Sequence, residues 1–240
     1  MGKGISTISR LNLRNIKTSY IVSGILSLVM IVQTGIWLLV ARASEGQVYS
    51  SGLSPGLYSY LVVLLAAIAI PTKNFRRIIN LGGKRNNFFW GSLLTYIILA
   101  VSASVFNTLM FYTFDNLIQN SGYFDGAVLN GVMNTLEVFG WSQNGMVIGF
   151  LQQTAFLFLL ASFIHTFVSI QDKWYGWVVT AILAAILAVF IPIAPLREVL
   201  IWFFNMIIFH TNPLLQIINC IVLAIVIYVF NKPVYDRKAI

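Results

Sequence analysis

Charge is the scarcest thing in this chain. Only 9% of its 240 residues are Asp, Glu, Lys or Arg, and 58% are hydrophobic. A soluble domain carries about 25% charged residues, so an ordinary soluble globule is excluded and a polytopic membrane protein is indicated. The single cysteine, Cys220, lies inside an apolar run, which leaves no support for disulfides or a thiolate metal site. The two histidines, His165 and His210, are too few and too isolated for a metal cluster. Nucleotide chemistry also lacks its motif. Gly82-Gly83-Lys84 echoes the end of a phosphate-binding loop, but Ile78 replaces the first Gly and Arg85 the Ser or Thr. There is no HExxH, no GxSxG and no pair of acids at helical spacing. The chain is therefore expected not to be an enzyme by itself and to bind no cofactor. Any energy must come from a partner.

What is present is a series of apolar runs. The predicted fold is an all-α integral membrane protein forming one transmembrane domain, 1–240. Six spans are expected at 20–41, 56–71, 88–111, 146–169, 175–194 and 213–230. All but the second are near the ~20 residues that cross a bilayer; the second is short, and Thr72 to Leu81 can extend it as a helix into the cytoplasm. Ala41-Arg42-Ala43 has a faint look of a cleavage site, but the preceding run is too long for a signal peptide, so an uncleaved first span is predicted. Residues 1–19 read as an interfacial amphipathic helix, with Ile5, Ile8, Leu13 and Ile16 on one face and Arg10, Arg14 and Lys17 on the other. Residues 196–210 are apolar but too short to cross, and a re-entrant helix is expected there. In 112–145, Leu129, Val132, Met133 and Leu136 recur at helical spacing, which predicts a surface helix in an extracellular loop.

The few charges are sorted. Lys3, Arg10, Arg14, Lys17, Lys73, Arg76, Arg77, Lys84, Arg85, Lys173, Lys232, Arg237 and Lys238 all fall on one side of the predicted layout, leaving only Arg42 and Arg197 of the fifteen on the other. The second side holds Glu45, Asp115, Asp125, Glu137 and Glu198. By the positive-inside rule the basic side is cytoplasmic, both termini included. No Asp, Glu, Lys or Arg lies inside a predicted span, so the charged relays common in ion-coupled transporters are missing.

The stretch from Asn74 to Trp90, NFRRIINLGGKRNNFFW, stands out between the second and third spans. Phe75, Ile78 and Ile79 share a helical face, with Arg76 and Arg77 elsewhere. Leu81 precedes Gly82 and Gly83, which supply a helix stop, Lys84 and Arg85 follow, and Asn86 or Asn87 is placed to cap the next helix. Arg76, Arg77, Lys84 and Arg85 suit acidic groups of a partner or lipid phosphate, and Phe75, Ile78 and Ile79 suit an apolar groove. The plain alternative is a topology determinant resting on lipid.

Within the spans, Gly176, Thr180, Ala184 and Ala188 lie at successive fourth positions, and Ser23 and Ser27 form a weaker small-residue pair. Such stripes serve helix packing inside one subunit or between two. Gln33, Gln152, Gln153 and His165 are the polar candidates for a translocation path, and interhelical hydrogen bonds are the bland reading. Trp90, Trp174, Trp177 and Trp202 fall near span ends, as interface anchors do.

These features together resemble the permease subunits of ABC type-2 exporters. Ile79-Asn80-Leu81-Gly82-Gly83-Lys84-Arg85-Asn86-Asn87-Phe88 is similar to a segment of small permeases from Gram-positive bacteria, its spacing kept by Gly82, Arg85 and Phe88. Size and style suggest the phenol-soluble-modulin exporters within that family. The resemblance implies a bacterial cell-membrane location, a second permease, either identical or a paralogue, and two copies of a cytoplasmic ABC ATPase. ATP and Mg would sit on that ATPase, which would grip the 72–87 coupling loop, with Phe75–Arg85 as the contact. Lipid is a further partner, nucleic acid is not, and the cargo would be an amphipathic peptide or lipid-like molecule moved outward. A non-transporting immunity or sensory subunit that sequesters a peptide, or a secondary transporter, is the alternative.

Overall fold

A long apolar run must satisfy its own backbone if it is to leave water, and a helix does so within the segment. The computed structural model describes residues 2–44, 52–119, 132–171 and 173–237, and most of them are helical. Helix α1 (Gly2–Asn15) leads through Ile16 into α2 (Lys17–Ser44). A short strand β1 (Gly52–Leu53) and a 3-10 turn at Pro55–Tyr58 come next. The chain then runs through α3 (Ser59–Ala69), a π-turn at Ile70–Asn74 and α4 (Phe75–Asn80). Helix α5 (Arg85–Met110) passes through a second π-turn, Phe111–Asp115, into α6 (Asn116–Gln119). Strand β2 (Val132–Met133), α7 (Thr135–Val138) and a 3-10 turn at Trp141–Asn144 precede α8 (Met146–Ile170). Then come α9 (Trp174–Phe190), α10 (Ala194–Ile207), α11 (Pro213–Phe230) and α12 (Lys232–Arg237).

Among the described residues, five segments are long and apolar enough to cross a membrane: Lys17–Trp37, Pro55–Asn80, Arg85–Asp115, Met146–Ile170 and Pro213–Tyr235. Helices α9 and α10, bent by 116° at their junction, bring the number to six if the pair is one span. The expected fifth span, 175–194, is shorter than its apolar run. Helix α9 has 17 residues, about 25 Å at 1.5 Å per residue, against ~30 Å of hydrocarbon. Pro192 and Pro195 enforce the break, since neither can donate a helical hydrogen bond and Pro195 sits in the first turn of α10.

The second segment extends past its expected apolar bounds, as the helical reading of Thr72 to Leu81 anticipated. Pro71 does not end it. The helix continues to Asn80, giving 26 residues from Pro55. Pro71 lies in the π-turn Ile70–Asn74, where the widened backbone absorbs the missing N–H and the bulk of the ring. The segment thus delivers α4 as a helical extension of a membrane-length segment.

At the other end of the bundle, the expected surface helix of 112–145 is replaced by a tied cap. Leu129 and Asp125 lie outside the described residues, as do Glu45 and Asp172. Val132 and Met133 are extended and pair in parallel with Gly52 and Leu53. The short helix α7 begins only at Thr135 and ends at Val138, with Leu136 buried against Trp141. Asn134 holds this cap together. Its Nδ2 donates to Ser54 Oγ at 3.0 Å and to Asp115 Oδ2 at 3.1 Å. It exchanges amide bonds with Asn107 at 3.1 and 3.2 Å, and its Oδ1 accepts from the Leu136 N–H at 3.0 Å. The helical spacing of the apolar residues misled because Asn134 starts a new helix between Met133 and Leu136. Asn134→Ala leaves three buried polar partners short at once, each worth about 1–3 kcal/mol when unsatisfied. The purified protein in detergent should melt several degrees lower, and an unchanged melting temperature would contradict the hub role.

Candidate functional site

The turn between α4 and α5 is built by glycine. The Gly83 N–H donates to Ile78 O at 2.9 Å and the Gly82 N–H to Ile79 O at 2.9 Å, the paired closure of a helix that ends on a left-handed residue. That residue is Gly82, with φ +82°. Lys84 is extended and forms the N-cap, so α5 opens at Arg85. Neither Asn86 nor Asn87 caps it, because both already lie within its first turn.

The turn has two faces. Phe75 is fully buried, with its ring centroid 5.2 Å from that of Phe88 and 5.0 Å from that of Tyr235. Ile78 is buried and Ile79 half-buried in the same core. These residues share one helical face, as expected, but it points into the bundle, so Phe75 and Ile78 cannot fill a partner's groove. The outward face carries Arg76, Arg77, Leu81, Gly82 and Lys84, and Leu81 is 76% exposed. Gly83 and Arg85 are intermediate. Arg77 Nη1 donates to Asn15 Oδ1 at 3.3 Å, and Arg85 Nη1 to the Tyr235 carbonyl at 3.4 Å.

Helix α1 lies beside this turn, on α5. Its buried face is half polar: Ile8 and Ile16 are joined by Ser9 and Asn12, while Ile5 and Leu13 are only partly covered. Asn12 Nδ2 donates to Ser92 Oγ at 3.4 Å, and Asn12 Oδ1 accepts from Asn74 Nδ2 at 3.1 Å. Thr95 Oγ1 donates to Ser9 Oγ at 3.3 Å. The expected amphipathic helix thus docks on the bundle through a hydrogen-bonded seam as well as its apolar residues. Arg10, Arg14 and Lys17 remain exposed. Between α1 and the turn lies a groove of about 450 Å³, lined by Ile8, Leu11, Ile78, Leu81, Lys84 and Asn87 among others.

The polar span residues are mostly structural. Gln152 Nε2 donates to Gln216 Oε1, and its own Oε1 accepts from Asn144 Nδ2 at 3.1 Å. Gln153 Nε2 donates to the Tyr60 hydroxyl, and its Oε1 accepts from Thr108 Oγ1 at 3.2 Å. His165 is fully buried between two tyrosines, with Nδ1 2.6 Å from Tyr96 OH and Nε2 3.0 Å from Tyr235 OH. In either neutral tautomer one ring nitrogen donates and the other accepts. None of these three lines an open path in this conformation. Gln33 alone is exposed, on the outer face of α2 with Val29, Val32 and Ile36.

Ser23 and Ser27 pack inside the chain, donating to the Tyr58 and Pro55 carbonyls at 2.6 and 2.8 Å. Gly176 is buried, and a Cβ there would lie 2.2 Å from Ile170 O. Thr180 Oγ1 accepts from Gln171 Nε2 at 2.8 Å. Ala184 and Ala188, further along the same stripe, are exposed. No group of metal-ligating side chains occurs among the described residues. Sequence reasoning missed Asn12, Asn74 and Tyr235. A polar residue on the buried face of α1 was the one visible signal.

No protein-family model, curated protein or solved structure matches the chain.

The groove depends on α1 staying seated. It crosses α5 at Gly91, where a Cβ would stand 2.8 Å from Ile8 Cγ2 and 3.1 Å from Ile5 O. Gly91→Leu should lift α1 and speed hydrogen exchange or proteolysis within 2–15, leaving α8 protected. Unchanged protection of α1 would mean that this crossing does not hold it.

Proposed function

We propose that this chain is the membrane permease subunit of an ATP-driven exporter, and that a separate ATPase grips it at the turn between α4 and α5. The observation that carries the proposal is the two-faced turn. Its outward side offers Arg76, Arg77, Leu81 and Lys84 beside a groove of mixed polar and apolar lining, while its inward side is seated through Phe75 and Ile78 in the helix core. A merely lipid-facing topology signal needs the cations but not the rigid backing. The absence of charged residues from the sequence-predicted spans supports an external energy source.

On this reading the basic end faces the cytoplasm of a bacterial cell with both termini, and α9 with α10 forms a span followed by a re-entrant segment. Two permeases pair, and two ATPases bind ATP and Mg beneath them. The exposed Ala184 and Ala188 of α9 are then available for the permease contact. The cargo class that suits the resemblance is an amphipathic peptide or lipid-like molecule. Closure of the ATPases pushes on α4, which is continuous with the second membrane segment, so the load enters the bundle along a helix axis.

The double substitution Arg76→Glu, Arg77→Glu reverses two outward charges without touching the buried face. It should abolish copurification of the ATPase and stimulation of its ATP hydrolysis while the permease still folds. If the complex survives and export continues, the docking role of this turn is wrong.

A further inference from the structure

Load arriving at the turn needs a route to the seam between α5 and α8, and α4 is not the only element in contact with it. Helix α12, the last described segment of the chain, sits between the two. Tyr235 is 1% exposed. Its ring meets the turn, 5.0 Å from the Phe75 centroid and 5.6 Å from that of Phe88. Its carbonyl accepts from Arg85 Nη1. The same ring stacks on His165 with centroids 5.5 Å apart and planes 28° from parallel. Its hydroxyl lies 3.0 Å from His165 Nε2 and 3.1 Å from Ser169 Oγ, both on α8. Ser169 Oγ also accepts from Asn231 Nδ2 at 3.0 Å, which fixes the start of α12. Through its other ring nitrogen His165 reaches Tyr96 on α5.

We propose that Tyr235 is a positioning residue that couples the α4–α5 turn to the α5–α8 seam, so that displacement of the turn is delivered to His165 through the C-terminal helix. The reasons are steric and electrostatic. A ring wedged among Phe75, Phe88 and His165 cannot be left behind when the turn moves, because close-packed interiors transmit displacement rather than absorb it. The hydroxyl, buried with His165 and Ser169, cannot part from them without leaving buried polar groups unsatisfied. The contact is thus loaded on one side by packing and on the other by hydrogen bonds. Only as to what pushes on the turn does this rest on the exporter reading.

The test supplies its own push. In a Cys220→Ser background, which removes the only native thiol, Leu81→Cys places one reactive group at the exposed tip. A biotin–maleimide there, loaded with streptavidin, bears on the turn without any ATPase. Hydrogen exchange of the full chain in lipid nanodiscs is then compared with and without the load, with Tyr235 intact, as Tyr235→Phe and as Tyr235→Ala. With Tyr235 intact, loading should change exchange across 162–171 severalfold and leave 134–149 at the opposite end unaltered. Tyr235→Phe, which keeps the ring, should weaken the response, and Tyr235→Ala should abolish it. An equal response in all three chains, or none with Tyr235 intact, overturns the proposal. Because streptavidin replaces the ATPase, a positive result stands even if no ATPase binds, and a negative one leaves the docking test above unaffected.

Discussion

The contact on which the basic end of the molecule depends is Phe75 against Phe88 and Tyr235. It joins the end of the second membrane segment, the start of the third and the last described helix in one buried cluster. Aromatic pairs in offset or edge-on geometry add about 0.5–1.5 kcal/mol each beyond their burial, so three such contacts outweigh any exposed charge in the same stretch. They decide which way the turn faces. With Phe75 and Ile78 held inward, Arg76, Arg77 and Leu81 have only the outside left to them.

A second constraint shapes the rest. Where few charges are available, polar side chains inside the bundle must satisfy one another. They do so in bonded sets: Asn107, Asn134 and Ser54 around the one carboxylate of the set, Asp115, at one end, and Tyr96, His165, Tyr235 and Ser169 at the other. Gln152 and Gln153 sit between them and reach α11 and α3. Each interhelical bond in such a setting contributes modestly, about 0.6 kcal/mol on average in measured membrane cases. Their directionality matters more than their strength, because a sliding or rotated helix leaves them open. Helices α5 and α8 are indexed twice, Tyr96 to His165 and Thr108 to Gln153.

What was legible in the sequence follows from the range of each signal. The apolar runs, the Gly82 stop and the basic character of the turn are local, and all were readable. The boundaries failed where a tertiary or backbone adjustment intervened. Pro71 marks the end of the apolar run, and the helix expected beyond it is joined on by a π-turn that no local pattern announces. Val132 and Leu136 look like one helical face until Asn134 is seen bonding to residues 19, 27 and 80 positions away. Phe75, Ile78 and Ile79 share a face in sequence and structure alike. Periodicity cannot say whether such a face seeks lipid, a partner or its own core. Tyr235 was invisible for the same reason: its partners lie 150, 70 and 66 residues back.

These two constraints meet at the basic turn. A docking element that were soft would dissipate an external push by bending, and one that were fully buried could not be reached. Here the exposed residues are carried on a helix continuous with Pro55–Asn80, stopped by a glycine closure that leaves Leu81 at the tip, and backed by rings on two further helices. Helix α1 adds a lateral brace through Asn12 and Asn74 without covering the tip. The exposed tip is thus carried on a helix whose inner face, Phe75 and Ile78, is buried in the core. On the exporter reading, that backing, rather than the number of positive charges, is what would separate a site that receives force from a loop that only marks a side of the membrane.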